Sequence, residues 1–511
     1  MTMKIGKVLD EVYDRSVGWR PATGALKPVH IANGLFRGLL GEVYNIKVPL
    51  SFVIPWKKKN SPDLDPQRTY NYLVHETSDP RFQAFRDEQY KERFERLRDY
   101  ARELLNADGG VFPDPEMVSF SLTCRQMISK DHMDKEVGRF IAELLRGEDG
   151  NGPLAKLVIE CLTNEQPPDP ITFLAWPLLS NEPEYASKKS TRCSPHGNPN
   201  LKKYFDLLGK AAADLADHQR QQGNRLATLQ KTVHFACLSL LGHAQTLAAD
   251  GNLAKRSPLL LTMAAPKNSR LASASEESLN RYYESFESWL VGRLAERLEK
   301  GKPIAYGTDE GEREPCQVTL PANRKDSVRK FLNEFNIQEG QDVDPKVIDD
   351  RMSLYEQAVA NHGRDNWALV IAETLVQCYL NEYESGGPRK FLSGVGRKAG
   401  IIYPHFAGRS KDKRIRPSVS ILDVLVKCCT PPDGAIPFNA FLDCLWERFG
   451  IVVGGRMGDD GSDHELLNER DIDIGQADLE ENTKAFIDHL VEIGLARRYP
   501  DNIAYVGRYY A

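Results

Sequence analysis

One stretch limits the fold more than any other. In "SASEESLNRYYESFESWLVGRLAERLEKG", Leu279, Tyr282, Tyr283, Phe286, Trp289, Leu290 and Leu294 recur at helical spacing. Side chains three and four residues apart share one face of a helix, so these residues form a wide apolar stripe along a long α-helix. A stripe this wide needs apolar partners on several sides and sets the helix inside a larger helical body. Ser273 and Glu276 stand at capping-box spacing and Gly301 at the far end, which bounds the expected helix.

Similar patterns recur along the chain. "SDPRFQAFRDEQYKERFERLRDYARELLNADGG" reads as an amphipathic surface helix, with Asp79 as cap and Pro80 in its first turn. Further helices are expected near 130–163, over 200–250 with a break at Gln222-Gly223-Asn224, and at 325–336, 345–361 and 365–384. Asp344 and Asp365 are the cap residues of the last two. "YNIKVPLSFVIPW" predicts short strands interrupted by proline. At 511 residues the chain exceeds a single hydrophobic core. The expected division is a mixed α/β N-terminal segment (1–75), a helical body (76–302), a second helical domain (320–385), a basic glycine-rich loop (386–416) and a C-terminal domain (417–511). The fold class is mainly α and multi-domain, with a few short strands.

In the C-terminal domain, "PSVSILDVLVKCC", "PFNAFLDCLWERFG" and "DLEENTKAFIDHLVEIG" each read as a helix. "IVVGG" reads as a short strand, and "LARRYPDNIAYVGRYY" as a hairpin around Pro-Asp-Asn. Three helices followed by a hairpin resemble the winged-helix family, over about residues 417–511. The resemblance implies DNA binding, with the third helix in the major groove and the wing on the backbone. The third helix here carries Asp478, Glu480, Glu481, Asp488 and Glu492 against Lys484 alone, a charge that phosphate repels. The hairpin is better suited, with Arg497 and Arg498 near Tyr499 and Tyr505.

Just before this domain, "GRKAGIIYPHFAGRSKDKRIRP" holds seven Lys or Arg against Asp412, in a chain of net charge −5. A local field of this kind steers partners more than the total charge does. The expected phosphate-contacting residues are Arg389, Lys390, Arg397, Lys398, Arg409, Lys411, Lys413, Arg414 and Arg416, together with Arg497 and Arg498. Tyr403, His405 and Phe406 interleave aromatic surface, as in single-strand binders. A solvated linker or a contact for an acidic protein remains open for the same stretch.

No P-loop, strand-linked GxGxxG, HExxH or GxSxG is present, so no catalytic residue and no cofactor is assigned. Cys193 and His196 supply half a zinc site, and no second pair lies at finger spacing. His234 and His243, nine apart on an apolar helix, read as core residues. The acids of 459–473 (Asp459, Asp460, Asp463, Glu465, Glu469, Asp471 and Asp473) are dense enough to hold Mg²⁺ or Ca²⁺, but they lack EF-hand spacing, so the stretch reads first as a solvated surface loop and no metal site is assigned. Nine scattered cysteines without a CxxC read as reduced thiols. The acidic N-terminus lacks the apolar core of a signal peptide, and "LQKTVHFACLSLLGHAQTLAA" is too interrupted to span a bilayer. The expected setting is cytoplasmic, without membrane contact.

These readings combine as a non-catalytic, nucleic-acid-associated subunit with protein partners in a bacterial multi-protein system. The C-terminal order of elements resembles the ends of accessory proteins of prokaryotic anti-phage defence systems. The alternatives are a protein-docking scaffold without nucleic-acid contact, and a metal-dependent nuclease using the 459–473 carboxylates.

Overall fold

The structure, a computed structural model, describes residues 5–22, 26–41, 43–44, 92, 128, 134–164, 184–185, 195–222, 225–263, 269–300, 325–334, 344–382, 387–405, 412–458, 461–500 and 503–507. The strands expected in "YNIKVPLSFVIPW" beyond residue 44 and all but Glu92 of the 79–110 helix lie outside these residues, as do Cys193, Phe406, Arg409, Lys411, Asp459 and Asp460. The described chain is mainly helical, with short strands, among them the antiparallel pairs β1 (Val43–Tyr44) with β2 (Glu184–Tyr185) and β8 (Met457–Gly458) with β9 (Gly461–Ser462). It divides into two compact units that do not follow chain order: residues 1–26, 190–211 and 238–511 in one, 27–189 and 212–237 in the other.

The helices of the chain in order are α1 (Ile5–Val12), α2 (Pro28–Leu39), α3 (Val137–Arg146), α4 (Pro153–Thr163), α5 (Lys202–Gln222), α6 (Arg225–Ala248) and α7 (Arg270–Lys300). After them come α8 (Lys325–Glu334), α9 (Pro345–His362), α10 (Trp367–Glu382), α11 (Pro388–Lys398), α12 (Val419–Lys427), α13 (Phe438–Phe449), α14 (Asp463–Asn468) and α15 (Gln476–Glu492). α5 ends at Gln222 and α6 begins at Arg225, on either side of the expected break. At α9, Asp344 accepts from the Lys346 amide at 2.9 Å, the expected cap.

In the second unit, α2 packs on α3 with backbone nearly touching backbone. A Cβ built on Gly138 would stand 2.3 Å from the Leu35 nitrogen, so only glycine fits there. Asp134 accepts from the amides of Glu136 and Gly138 at the start of α3. Arg146 donates to the carbonyls of Gly38 and Leu39, satisfying the end of α2.

The first unit is built on α7. Its stripe is buried as expected, with Tyr282, Phe286 and Leu294 at most 1 % exposed. Trp19 stacks on Phe286 with centroids 6.0 Å apart and donates to His243 Nδ1 at 3.2 Å. The helix begins earlier than the capping-box spacing suggests, with Ser269 accepting from the Ala272 amide. The serines of "SASEES" serve another purpose. Ser275 donates to Leu260 O and accepts from Ile415 N, while Ser278 accepts from Leu260 N and donates to Pro258 O. They tie α7 to two strands, β3 (Leu259–Leu260) and β5 (Arg414–Ile415).

The expected loop 386–416 is a correction. Its described residues, 387–405 and 412–416, form α11 followed by an antiparallel pair, β4 (Ile402–Tyr403) with β5, in register Ile402↔Ile415. Phe391, Leu392 and Val395 give α11 a buried face, and Pro388 suits a helix start. One of the glycines that read as loop instead allows close packing: a Cβ on Gly396 would meet Ile402 Cδ1 at 2.4 Å.

The expected helices near 417–511 form as α12, α13 and α15, and the hairpin as β10 (Ala496–Arg498) with β11 (Ala504–Gly507). A third strand, β6 (Ala435–Pro437), lies in a stretch that reads as a turn and pairs antiparallel with β11. The "IVVGG" strand, β7 (Ile451–Val452), pairs in parallel with β3. The core around it combines Leu260, Leu271 and Ala274 with Trp446, Val452 and Leu479. Asn482 of α15, 1 % exposed, donates to Leu261 O at 2.7 Å and Val453 O at 2.8 Å, and accepts from Met263 N at 3.3 Å. Residues 259–263 and the first turns of α7 are therefore built into the C-terminal region.

Candidate nucleic-acid interface

The basic residues divide into those spent on the fold and those left at the surface. Arg389 makes two hydrogen bonds to Glu287, at 3.0 and 2.8 Å, and lies over the Tyr283 ring. It anchors α11 to α7. Lys398 donates to Leu26 O at 2.6 Å, again a structural contact. Arg414 is 5 % exposed and stacks 4.8 Å from the Tyr403 ring centre. Arg416 lies 5.4 Å from the same ring, and its carbonyl accepts from His405 Nε2 at 2.7 Å. Tyr403 and His405 thus act as platforms for the strand pair.

Lys390 is exposed, and Arg397, Lys413 and Arg416 are half-buried. Burial lowers the Lys413 pKa; Arg397 and Arg389 push it the same way, and Glu276 opposes. These cations therefore feel one another. Glu276 is held above the usual carboxylate range by burial and by Asp412. The sequence carried no signal that Glu276 and Glu287, on a helix more than a hundred residues away, offset part of this charge.

The second basic patch is the β10–β11 hairpin. Arg497 pairs in register with Tyr505, and its guanidinium lies 5.5 Å from the Tyr499 ring centre. Tyr499 packs edge-on against Tyr505 at 5.7 Å. Arg498 reaches back to Asp488 of α15 at 2.9 Å, with both side chains part-exposed. Tyr499 and Ile503, 36 % and 46 % exposed, form the hairpin tip. Beside it, α15 buries Leu479, Asn482, Phe486 and Leu490 and presents Glu480, Glu481, Asp488 and Glu492 to solvent.

The described acids of the 459–473 stretch, Asp463, Glu465, Glu469, Asp471 and Asp473, disperse. Asp463 is 2 % exposed; it accepts from the Gly454 and Arg456 amides and pairs with Arg456 Nε at 3.0 Å. Glu465 closes a capping box with Ser462 at the start of α14, and Asp473 reaches Arg270 at 3.4 Å. Among the described residues no group of three or more His, Cys, Asp or Glu is placed to hold a metal ion. His196 packs edge-on against Phe205. His243 is buried and accepts from Trp19; desolvation pushes its pKa down to about 3. No helix among the described residues is long and apolar enough to cross a membrane.

The chain matches no protein-family model and no curated protein sequence.

Proposed function

We propose that the protein is a non-catalytic nucleic-acid-associated subunit whose C-terminal region works as a winged-helix module read through its wing. The observation that carries this reading is the hairpin face of Arg497, Tyr499 and Tyr505, where a cation and exposed aromatic surface lie together beside a three-stranded sheet of order β10-β11-β6. Aromatic rings with adjacent cations bind bases and phosphates without requiring sequence. In this reading α15 stays out of the groove, because its exposed carboxylates oppose the phosphate field. Lys390, Lys413 and Arg416, with Arg409 and Lys411, supply further phosphate contacts. Arg389, Lys398 and Arg414 hold the scaffold. On the resemblance alone, the proposal extends to a bacterial multi-protein system of the anti-phage type, with other subunits on the helical surface.

The test titrates the full chain onto labelled duplex and single-stranded DNA across a range of salt. Beside it runs a variant with Lys390→Ala, Arg497→Ala and Arg498→Ala. Loss of three phosphate contacts flattens the slope of log affinity against log salt on duplex by about 3 units. Wild-type binding with an unchanged slope in the variant removes these residues from the interface. A second reading, docking to a basic protein through α15, is favoured by the exposed Glu480, Glu481 and Glu492; absence of DNA binding at low salt selects it.

A further inference from the structure

The two edges of the three-stranded sheet differ. Its order is β10-β11-β6, so β10 and β6 are the outer strands. β6 ends in Pro437, which has no amide to offer and leads directly into α13. β10 has no such guard. Gly507 N donates to Leu495 O and Tyr499 N to Ile503 O, each at 3.0 Å, so residues 495, 497 and 499 turn their backbone groups toward β11. By the alternation of an antiparallel ladder, Ala496 and Arg498 turn theirs outward. Among the described residues no strand pairs with that edge and no backbone hydrogen bond is made there. The amides and carbonyls of Ala496 and Arg498 stand in a row, with the exposed side chains of Arg497 and Arg498 beside them.

Side chains alternate along β10 as well. Arg497 shares a sheet face with Tyr499 and Tyr505. Arg498 lies on the other face, where it meets Asp488 of α15 at 2.9 Å. Val491, 39 % exposed, stands one turn beyond Asp488 on α15 and adds apolar surface on that side.

We infer that the β10 edge takes up an extended acidic segment of a partner protein as a further antiparallel strand. The inference is independent of the nucleic-acid reading. The backbone row bonds any extended chain, and the side chains select among them. A carboxylate opposite Arg497 pairs with the guanidinium on one face. The residues before and after that carboxylate fall on the other face, toward Val491, and are apolar. A second copy of this chain is disfavoured, because two β10 edges paired about a two-fold axis at Arg497 set like charges side by side.

The experiment titrates the full chain onto a fluorescein-labelled peptide, Thr-Val-Glu-Val-Glu-Val-Thr, and follows anisotropy at low salt. In the antiparallel register a glutamate opposite Arg497 points its amide away from β10, and the valines flanking it point theirs at the edge. N-methylation of the valines therefore weakens binding at least about tenfold, because the donors facing β10 are lost. N-methylation of the glutamates leaves binding as in the parent peptide. Arg497→Ala, with a circular dichroism spectrum matching wild type, weakens binding of the parent peptide about two- to fivefold, the range of an exposed ion pair. Failure of the parent peptide to bind, the reverse order of the two methylated peptides, or an Arg497→Ala chain that binds as tightly as wild type overturns the inference. So does equal binding by both methylated peptides, the behaviour of a surface that reads charge alone, as a nucleic-acid site does.

Discussion

Replacing Asn482 by Leu tests how the C-terminal region is held together. Leu keeps the number and branching of the side-chain heavy atoms and removes every polar contact of the amide. The Leu261 and Val453 carbonyls and the Met263 amide each lose Asn482 as partner in a buried place. An unsatisfied buried polar group costs about 1–3 kcal/mol, so three of them cost about 3–6 kcal/mol after some relaxation. A global denaturation curve sums over both units and does not say which region opens. Amide hydrogen exchange reports the local opening instead. The amides to follow are Leu259, bonded to Gly450 O at 3.0 Å, and Leu261, bonded to Val452 O at 2.8 Å, because both join β3 to β7. The loss corresponds to exchange at least about a hundredfold faster at both. Amides of α2 and α3, in the other unit, keep their rates. If Leu259 and Leu261 accelerate by less than about tenfold, Asn482 does not tie α15 to the 259–263 segment and the reasoning fails.

The other predictions follow from the same contacts. Arg389→Ala leaves Glu287, 8 % exposed, without its two hydrogen bonds; the cost is about 2–3 kcal/mol, below that of a fully buried pair because 40 % of the Arg389 side chain meets water. A Glu287→Gln, Arg389→Ala double variant recovers part of the lost thermal midpoint if the pair is the cause. His243 gives an acid limb to stability. Its folded pKa, about 3, lies below the unfolded value of 6.5, so the unfolded chain binds the extra proton. Its contribution is complete above pH 6.5 and falls by about 1.4 kcal/mol per pH unit as the pH drops toward 3. His243→Gln flattens that limb in thermal melts taken between pH 4 and 7, and an unchanged limb refutes the assignment. Asp463→Ala, which removes the partner of Arg456 and of two amides, lowers the thermal midpoint, while magnesium or a chelator leaves the wild-type midpoint unmoved; a metal-dependent shift revives the nuclease reading.

The helices were legible where periodicity and caps agree. The α7 stripe and the Asp344-Pro345 start of α9 follow from spacing and from the missing proline amide, and both stand in the structure. Two local signals misled. Ser273 and Glu276 stand at capping-box spacing, but the helix starts at Ser269, and the neighbouring Ser275 and Ser278 satisfy backbone amides and carbonyls across a tertiary contact that no local window contains. The glycines of 394–400 resemble a loop, but Gly396 lets Ile402 pack close against α11, and the Phe391, Leu392 and Val395 face outweighs them. The basic surface was legible as composition only. Which cations face water depends on partners distant in sequence, Glu287 for Arg389 and Leu26 for Lys398, and on Tyr403 beneath Arg414. The hairpin was legible almost completely, because its turn and its Arg and Tyr residues are neighbours in the chain.

The central claim is that nucleic acid meets the hairpin and not α15. Hydroxyl-radical footprinting of the full chain, with and without saturating DNA, reads both surfaces in one sample. Tyr499 and Ile503 report the hairpin; His489 and Val491, the latter 39 % exposed, report α15. Protection of Tyr499 and Ile503 by DNA, with His489 and Val491 unchanged, is the result the account predicts. Protection of His489 and Val491, or of neither pair when DNA is bound, contradicts it.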